Sequence, residues 1–121
     1  MCQLDTETVQ KILGEEREAT RARVQALTTT FDEIVSSSVD ANADDEHDPE
    51  GSTIAFERAQ VSALLAEALS AVEDISRASA RLAQGTYGTC TRCGRAIAPE
   101  RLRARPSAEC CVTCAGSAGR I

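Results

Sequence analysis

Four cysteines, Cys90, Cys93, Cys111 and Cys114, stand as two CxxC pairs separated by seventeen residues. Two residues between thiolates let one tight turn aim both sulfurs at a single ion, and a second such turn completes a tetrahedron. This is the spacing of a four-thiolate zinc site. A filled tetrahedron leaves no open coordination position for a reacting water. The expected cofactor is therefore one structural Zn2+, stapling a segment too small to build its own core, rather than a hydrolytic metal.

The remainder of the chain must reach a stable fold with few large side chains. Its 121 residues include two Phe, one Tyr and no Trp, too little aromatic volume for a large globular core. Pro is absent from the first two thirds except at Pro49, and Ala, Glu, Arg, Leu and Ser dominate there. Long helices fit this composition better than sheet. The formal charge of −6 divides unevenly: residues 1–84 carry 17 acids against 7 Lys or Arg, and residues 85–121 carry 2 acids against 6 Arg. The two ends should face different partners.

No apolar run approaches the roughly 20 residues that span a bilayer. Met1 to Gln10 lacks the basic and apolar regions of a secretory signal. A cytoplasmic protein without membrane attachment is expected, and reducing conditions there favour thiolate ligation over disulfides. Cys2 and Cys110 are then spare. Cys110, beside Cys111, reads as a silent thiol, a substitute ligand or an oxidant sensor.

Val9, Leu13, Thr20, Val24, Leu27, Phe31 and Ile34 recur at steps of three, four or seven, the seam of an amphipathic helix. Glu16 and Thr20 weaken its middle. A second seam runs through Ile54, Val61, Leu65, Ala68, Val72, Ile75 and Leu82, interrupted by Arg58 and Ser79. The fold class expected is mainly α: a long antiparallel two-helix coiled-coil hairpin over residues 1–84, then a small four-Cys zinc-finger module with a short tail over 85–121. The first helix is predicted from Leu4 to about Val39. The second is predicted from about Pro49 to Gln84, where Gly85 can close it in the left-handed conformation. About 33 residues per helix at 1.5 Å each would make a finger roughly 50 Å long. Closure within one chain predicts a monomer.

The hairpin's turn, at about residues 40–51, is acidic. Asp40, Asp44, Asp45, Glu46, Asp48 and Glu50 lie within eleven residues without a Lys or Arg. Asp48 as N-cap, Pro49 as first helical residue and Glu50 near the positive end of the helix dipole explain part of the run. Asp44, Asp45 and Glu46 are left as either a solvated turn or a functional tip. His47 reads as a polar loop residue.

The segment Gly85-Thr-Tyr87-Gly88-Thr-Cys90-Thr-Arg-Cys93-Gly94, followed by Ile97, by Arg101-Leu102-Arg-Ala104-Arg105-Pro106 and by Cys111-Val-Thr-Cys114, resembles the DksA/TraR family of zinc-finger transcription regulators. The acidic-tipped hairpin before it extends the resemblance over nearly the whole chain. Glu46 to Gln60 is similar to actinobacterial members in particular. The resemblance implies a protein of the stringent-response type that binds RNA polymerase rather than DNA. Its coiled coil would enter the secondary channel and its tip would modulate initiation. The family tip carries Asp-x-x-Asp-x-Ala. Here Asp45-x-x-Asp48 supplies both acids with Glu50 at the Ala position, whereas alignment on Asp48-Pro49 loses the second acid, and Pro49 favours the latter.

In the arginine-rich module of Arg92, Arg95, Arg101, Arg103 and Arg105, Arg101 and Arg105 are singled out as candidate polymerase or anion contacts, while Arg92 and Arg95 either join them or offset the −2 charge of a zinc tetrathiolate. The alarmone ppGpp is a partner of some family members at the interface with polymerase. Arg105 matches one of three basic positions used there, but Asp74 and Ala115 fall at the other two, a poor match for a pentaphosphate. The chain continues only seven residues past Cys114, so a shortened or absent C-terminal helix is expected.

Two other functions fit the residues less fully. A nucleic-acid-binding zinc ribbon needs stacking aromatics or a strongly basic face, and the module offers Tyr87 alone in an acidic chain. A thiol-based stress sensor would release zinc on oxidation through Cys110. An enzyme is not expected. One His, no Ser-His-Asp set and no Gly-rich phosphate loop with a Lys leave no catalytic constellation.

Overall fold

The computed structural model describes residues 5–42 and 49–118, with side chains placed over 5–37 and 53–116. These residues are mainly helical, in the order α1 (Thr6–Asn42), α2 (Pro49–Gln84), α3 (Pro99–Ala104) and α4 (Val112–Ala118). Among the described residues, extended pairing is limited to an antiparallel bridge between Thr89 and Ala96. The chain divides into two compact units, Met1–Glu18 with Val72–Ile121, and Ala19–Ala71. None of the described helices is long and apolar enough to cross a membrane.

Asp5 sets the start of α1. The N–H of Thr8 donates to Asp5 Oδ1 at 2.7 Å, and the N–H of Val9 donates to the Asp5 carbonyl oxygen at 3.0 Å. The side chain thus satisfies a donor that the first turn would leave orphaned. The Thr8 hydroxyl and amide hold the Asp5 carboxyl below its ordinary value. The beginning expected at Leu4 lies outside the described residues, and the helix continues past Val39 to Asn42. Within it the Thr28 and Thr30 hydroxyls donate to the carbonyls of Val24 and Ala26, at 2.8 and 3.0 Å. Bonding back to the preceding turn lets a threonine-rich run remain helical.

Helix α2 spans Pro49–Gln84, the predicted range. It closes at Gly85, whose φ of 81° is open to glycine at little cost. The Gly85 N–H reaches the Leu82 carbonyl at 3.2 Å, and the Thr86 N–H reaches that of Arg81 at 2.8 Å. This pair of reversed bonds is the Schellman closure.

In the first unit the start of α1 packs on the end of α2. Val9, Leu13, Ile75 and Ala78 form a buried cluster, with Leu82 and Tyr87 against it. Ala78, absent from the seam read in the sequence, is 0% exposed, and Ser79 is half-buried beside it. Gly14 and Ser79 are both small, and with Gln10, Leu13, Arg17, Leu82 and Ala83 they line a cavity of about 150 Å³. In the second unit the end of α1 lies beside the start of α2, where Thr30, Ile34, Ile54 and Glu57 share a groove. Val24, Leu27, Phe31, Ile34, Ile54, Val61 and Leu65 are half-buried there, and Ala68 is buried. Two helices alone cover each seam residue from one side, which is why this seam stays partly wet. Glu16 is exposed and Thr20 half-buried.

Candidate metal centre

Residues after Gly85 fold by closing short loops on one another. Gly88 (φ 86°) and Gly94 (φ 77°) turn the chain on either side of the first CxxC pair. The Cys90 N–H donates to the Arg95 carbonyl at 2.8 Å, the Gly94 N–H to that of Cys90 at 3.0 Å and the Ile97 N–H to that of Gly88 at 2.8 Å. Cys90 and Cys93 are thereby carried on one tight turn. The second pair is positioned differently. Cys111 directly precedes α4 and Cys114 lies in its first turn, with the Ala115 N–H on the Cys111 carbonyl at 2.9 Å.

A small apolar cluster of Cys90, Ile97, Leu102 and Ala108 supports both pairs, joined by Tyr87, Cys110, Cys111 and Cys114. Tyr87 packs against this cluster and against the helical one. Its hydroxyl donates to the Pro106 carbonyl at 2.7 Å. Burial raises the phenol above its ordinary value, against a smaller lowering by the Arg81 charge. Glu109 pairs with Arg81 at 3.7 Å and Arg77 at 3.9 Å, and Arg77 also pairs with Asp74. These contacts tie the end of α2 to the loop that delivers Cys111.

The Sγ atoms of Cys90, Cys93, Cys111 and Cys114 all lie within 4.8 Å of one another, and those of Cys93 and Cys111 are 3.8 Å apart. A tetrahedron with Zn–S bonds of about 2.3 Å has edges of about 3.8 Å. The four thiols fit zinc. Cys90 is buried, Cys93 exposed and the other two intermediate.

Their acidities show how the protein prepares the site. Cys90 is brought down to about 5, chiefly by the backbone N–H of Cys111 and then that of Cys93, against the opposing effect of burial. Cys111 is also lowered, first by the backbone N–H of Cys114. Cys114 is pushed up to about 12 because its thiol hydrogen-bonds first with Cys111 and then with Cys90. Backbone amides thus stabilise thiolate at two corners while a third thiol shares its proton with them. Together the four cysteines form the site of one structural Zn2+.

Residues 85–118 match the model of the prokaryotic dksA/traR C4-type zinc finger. This segment is a DksA/TraR zinc finger. The rest of the chain is related by fold: transcription factor DksA2 from Pseudomonas aeruginosa superposes with a TM-score of 0.74, covering 95% of this chain and 83% of that one at 21% identity. No curated protein matches the sequence. The sequence match is confined to the finger, and the likeness to DksA2 is one of fold.

The other candidate residues are distributed unevenly. Asp45 and Asp48 lie outside the described residues, and Glu50 is described by its backbone alone. Arg105 is exposed, next to the buried Pro106. Arg101 is half-buried, and its Nε donates to the Cys110 carbonyl at 2.8 Å. Arg95 lines an open pocket with Cys93, Cys111 and Cys114. The Cys110 sulfur lies 3.9 Å from the Thr91 hydroxyl. Sequence reasoning missed the Arg77, Arg81 and Glu109 group. Only the opposite charges of these residues hinted at it.

Proposed function

We propose that this chain is a non-enzymatic transcription regulator that binds RNA polymerase directly, inserting its acidic-tipped hairpin into the secondary channel to modulate initiation. The observation that carries this reading is the fold shared with the transcription factor DksA2 across 95% of the chain, joined to the DksA/TraR finger at residues 85–118. The division of labour runs along the sequence. The paired helices supply reach, and Asp45, Asp48 and Glu50 supply charge next to a magnesium-containing, nucleic-acid-lined centre. The module from residue 85 onward acts as the base of the probe, with Arg105 and the free face of Arg101 directed to an acidic surface of the polymerase. The protein works as a cytoplasmic monomer without sequence-specific DNA contacts. ppGpp is at most a weak co-ligand, because Asp74 and Ala115 replace two cations of the family's site.

A pull-down of core polymerase, paired with transcription in vitro, for the intact protein and for a version lacking residues 40–52 tests this reading. The intact protein should retain core enzyme in the absence of DNA. The shortened one should lose the effect on transcription, and an unchanged effect would remove the tip from the mechanism.

A further inference from the structure

The run Pro106–Cys110 has no regular secondary structure, yet its carbonyl groups are held at alternate positions by side chains from three different places. Tyr87 donates to the Pro106 carbonyl at 2.7 Å, Arg81 to that of Ala108 at 3.4 Å and Arg101 to that of Cys110 at 2.8 Å. Between the last two, the backbone N–H of Thr91 takes the Glu109 carbonyl at 2.9 Å, which links the run to the residue following Cys90. The Arg81 side chain is only 11% exposed and also pairs with Glu109. An irregular segment whose carbonyls are filled in this manner has little freedom to shift, and its next residue is the metal ligand Cys111.

We propose that Pro106–Cys110 is a strap through which Tyr87, Arg81 and Arg101 position the Cys111 and Cys114 half of the metal site, so that metal retention is set from α2 and α3 as well as by the four thiols. Arg101 is the positioning residue nearest the ligands. Its guanidinium fixes the plane of the peptide between Cys110 and Cys111, and rotation of that plane about the single bonds on either side would carry the Cys111 sulfur away from the other three. Arg81 and Tyr87 fix the same run further back. Loss of outer contacts that orient metal ligands commonly weakens metal binding about 10–100-fold.

The test uses the full zinc-loaded chain. Zinc transfer to a chromophoric chelator is timed for Arg101→Gln, for Tyr87→Phe and for Arg103→Gln, and the absorption bands of the cobalt-substituted proteins are recorded. Arg103 is exposed on the same short helix, so its loss removes a comparable charge without touching the strap. Arg101→Gln and Tyr87→Phe should each release zinc about tenfold faster or more and shift the cobalt bands, while Arg103→Gln stays within about twofold of the parent. Should Arg101→Gln fail to fold, Tyr87→Phe carries the test, since its ring still fills both apolar clusters. Equal effects at Arg101 and Arg103 would reduce Arg101 to charge compensation. Parent-like rates in both strap variants would leave the thiols alone responsible. Either result overturns the proposal.

Discussion

The hydroxyl of Tyr87 donates to the carbonyl oxygen of Pro106 at 2.7 Å across nineteen residues of sequence. Its ring packs in two clusters, against Val9, Leu13, Ile75 and Ala78 on one side and against Cys90, Ile97, Leu102 and Ala108 on the other. One side chain thus joins the base of the helices to the finger. It is also the sole tyrosine of the chain, which makes its ionisation directly observable.

Burial raises the Tyr87 phenol, so the neutral form is favoured in the folded protein. A group raised in this way stabilises the fold fully below its unfolded value, about 10, and the contribution disappears as pH rises through the folded value. Tyrosinate absorbance should therefore appear at higher pH in the native protein than in urea. Tyr87→Phe should cost about 1 kcal/mol at neutral pH and abolish the part of the alkaline destabilisation that follows the tyrosinate signal. Coincident titrations in native and denatured protein would contradict this.

Gly14 sits within α1, and a Cβ added there meets nothing within 4 Å. Gly14→Ala should raise unfolding free energy by about 0.5–1 kcal/mol, since the methyl lowers chain entropy in the unfolded state without a clash. Urea denaturation checks this. A loss of stability would show that the cavity beside Ser79 is needed empty or wet.

Gly85 gives the opposite expectation. A Cβ there also meets open space, but φ is 81°, so Gly85→Ala should cost about 1–2 kcal/mol from the backbone alone. Gly85→Asn should recover part of the loss, because Asn tolerates the left-handed region better. Equal stability of the Ala variant and the parent would mean that the α2 closure is rebuilt in another form.

Metal uptake should release protons in a number set by the prepared thiols. Near pH 7, Cys90, at about 5, is already thiolate, while Cys114, at about 12, must give up its proton to ligate. Calorimetric titration of the metal-free protein in buffers of different ionisation enthalpy, under conditions where circular dichroism shows that the finger keeps its fold without zinc, should return fewer than four protons per zinc. Apparent affinity should fall more steeply as pH drops toward 5 and Cys90 becomes protonated. Release of four protons near pH 7 would mean that Cys90 is an ordinary thiol.

The parts of this molecule that sequence revealed are those whose physics is local or periodic. The ligand set follows from spacing, α2 is bounded by Pro49 and Gly85, and the seams follow from apolar recurrence. Ala78 escaped because a small residue carries little hydrophobic signal even when wholly buried. Cys111 and Cys114 were expected on a turn like the first pair, and they stand instead at the start of α4. The strap was illegible because Arg81, Tyr87 and Arg101 bond to backbone carbonyls, acceptors that every residue possesses. Arg101, read from the sequence as an outward contact, has its Nε committed to Cys110.

The tip and the helices should make separable contributions. On the proposed division of labour, Asp45→Asn with Asp48→Asn should leave polymerase binding within a few-fold of the parent while weakening the effect on initiation. Loss of binding in the double variant would make the tip an anchor.

The central claim is direct binding to polymerase, and a titration of DNA-free core RNA polymerase with the labelled, zinc-loaded protein tests it. Saturable binding at micromolar concentration or below, with one protein per polymerase, is the predicted result. No binding in that range would contradict the account.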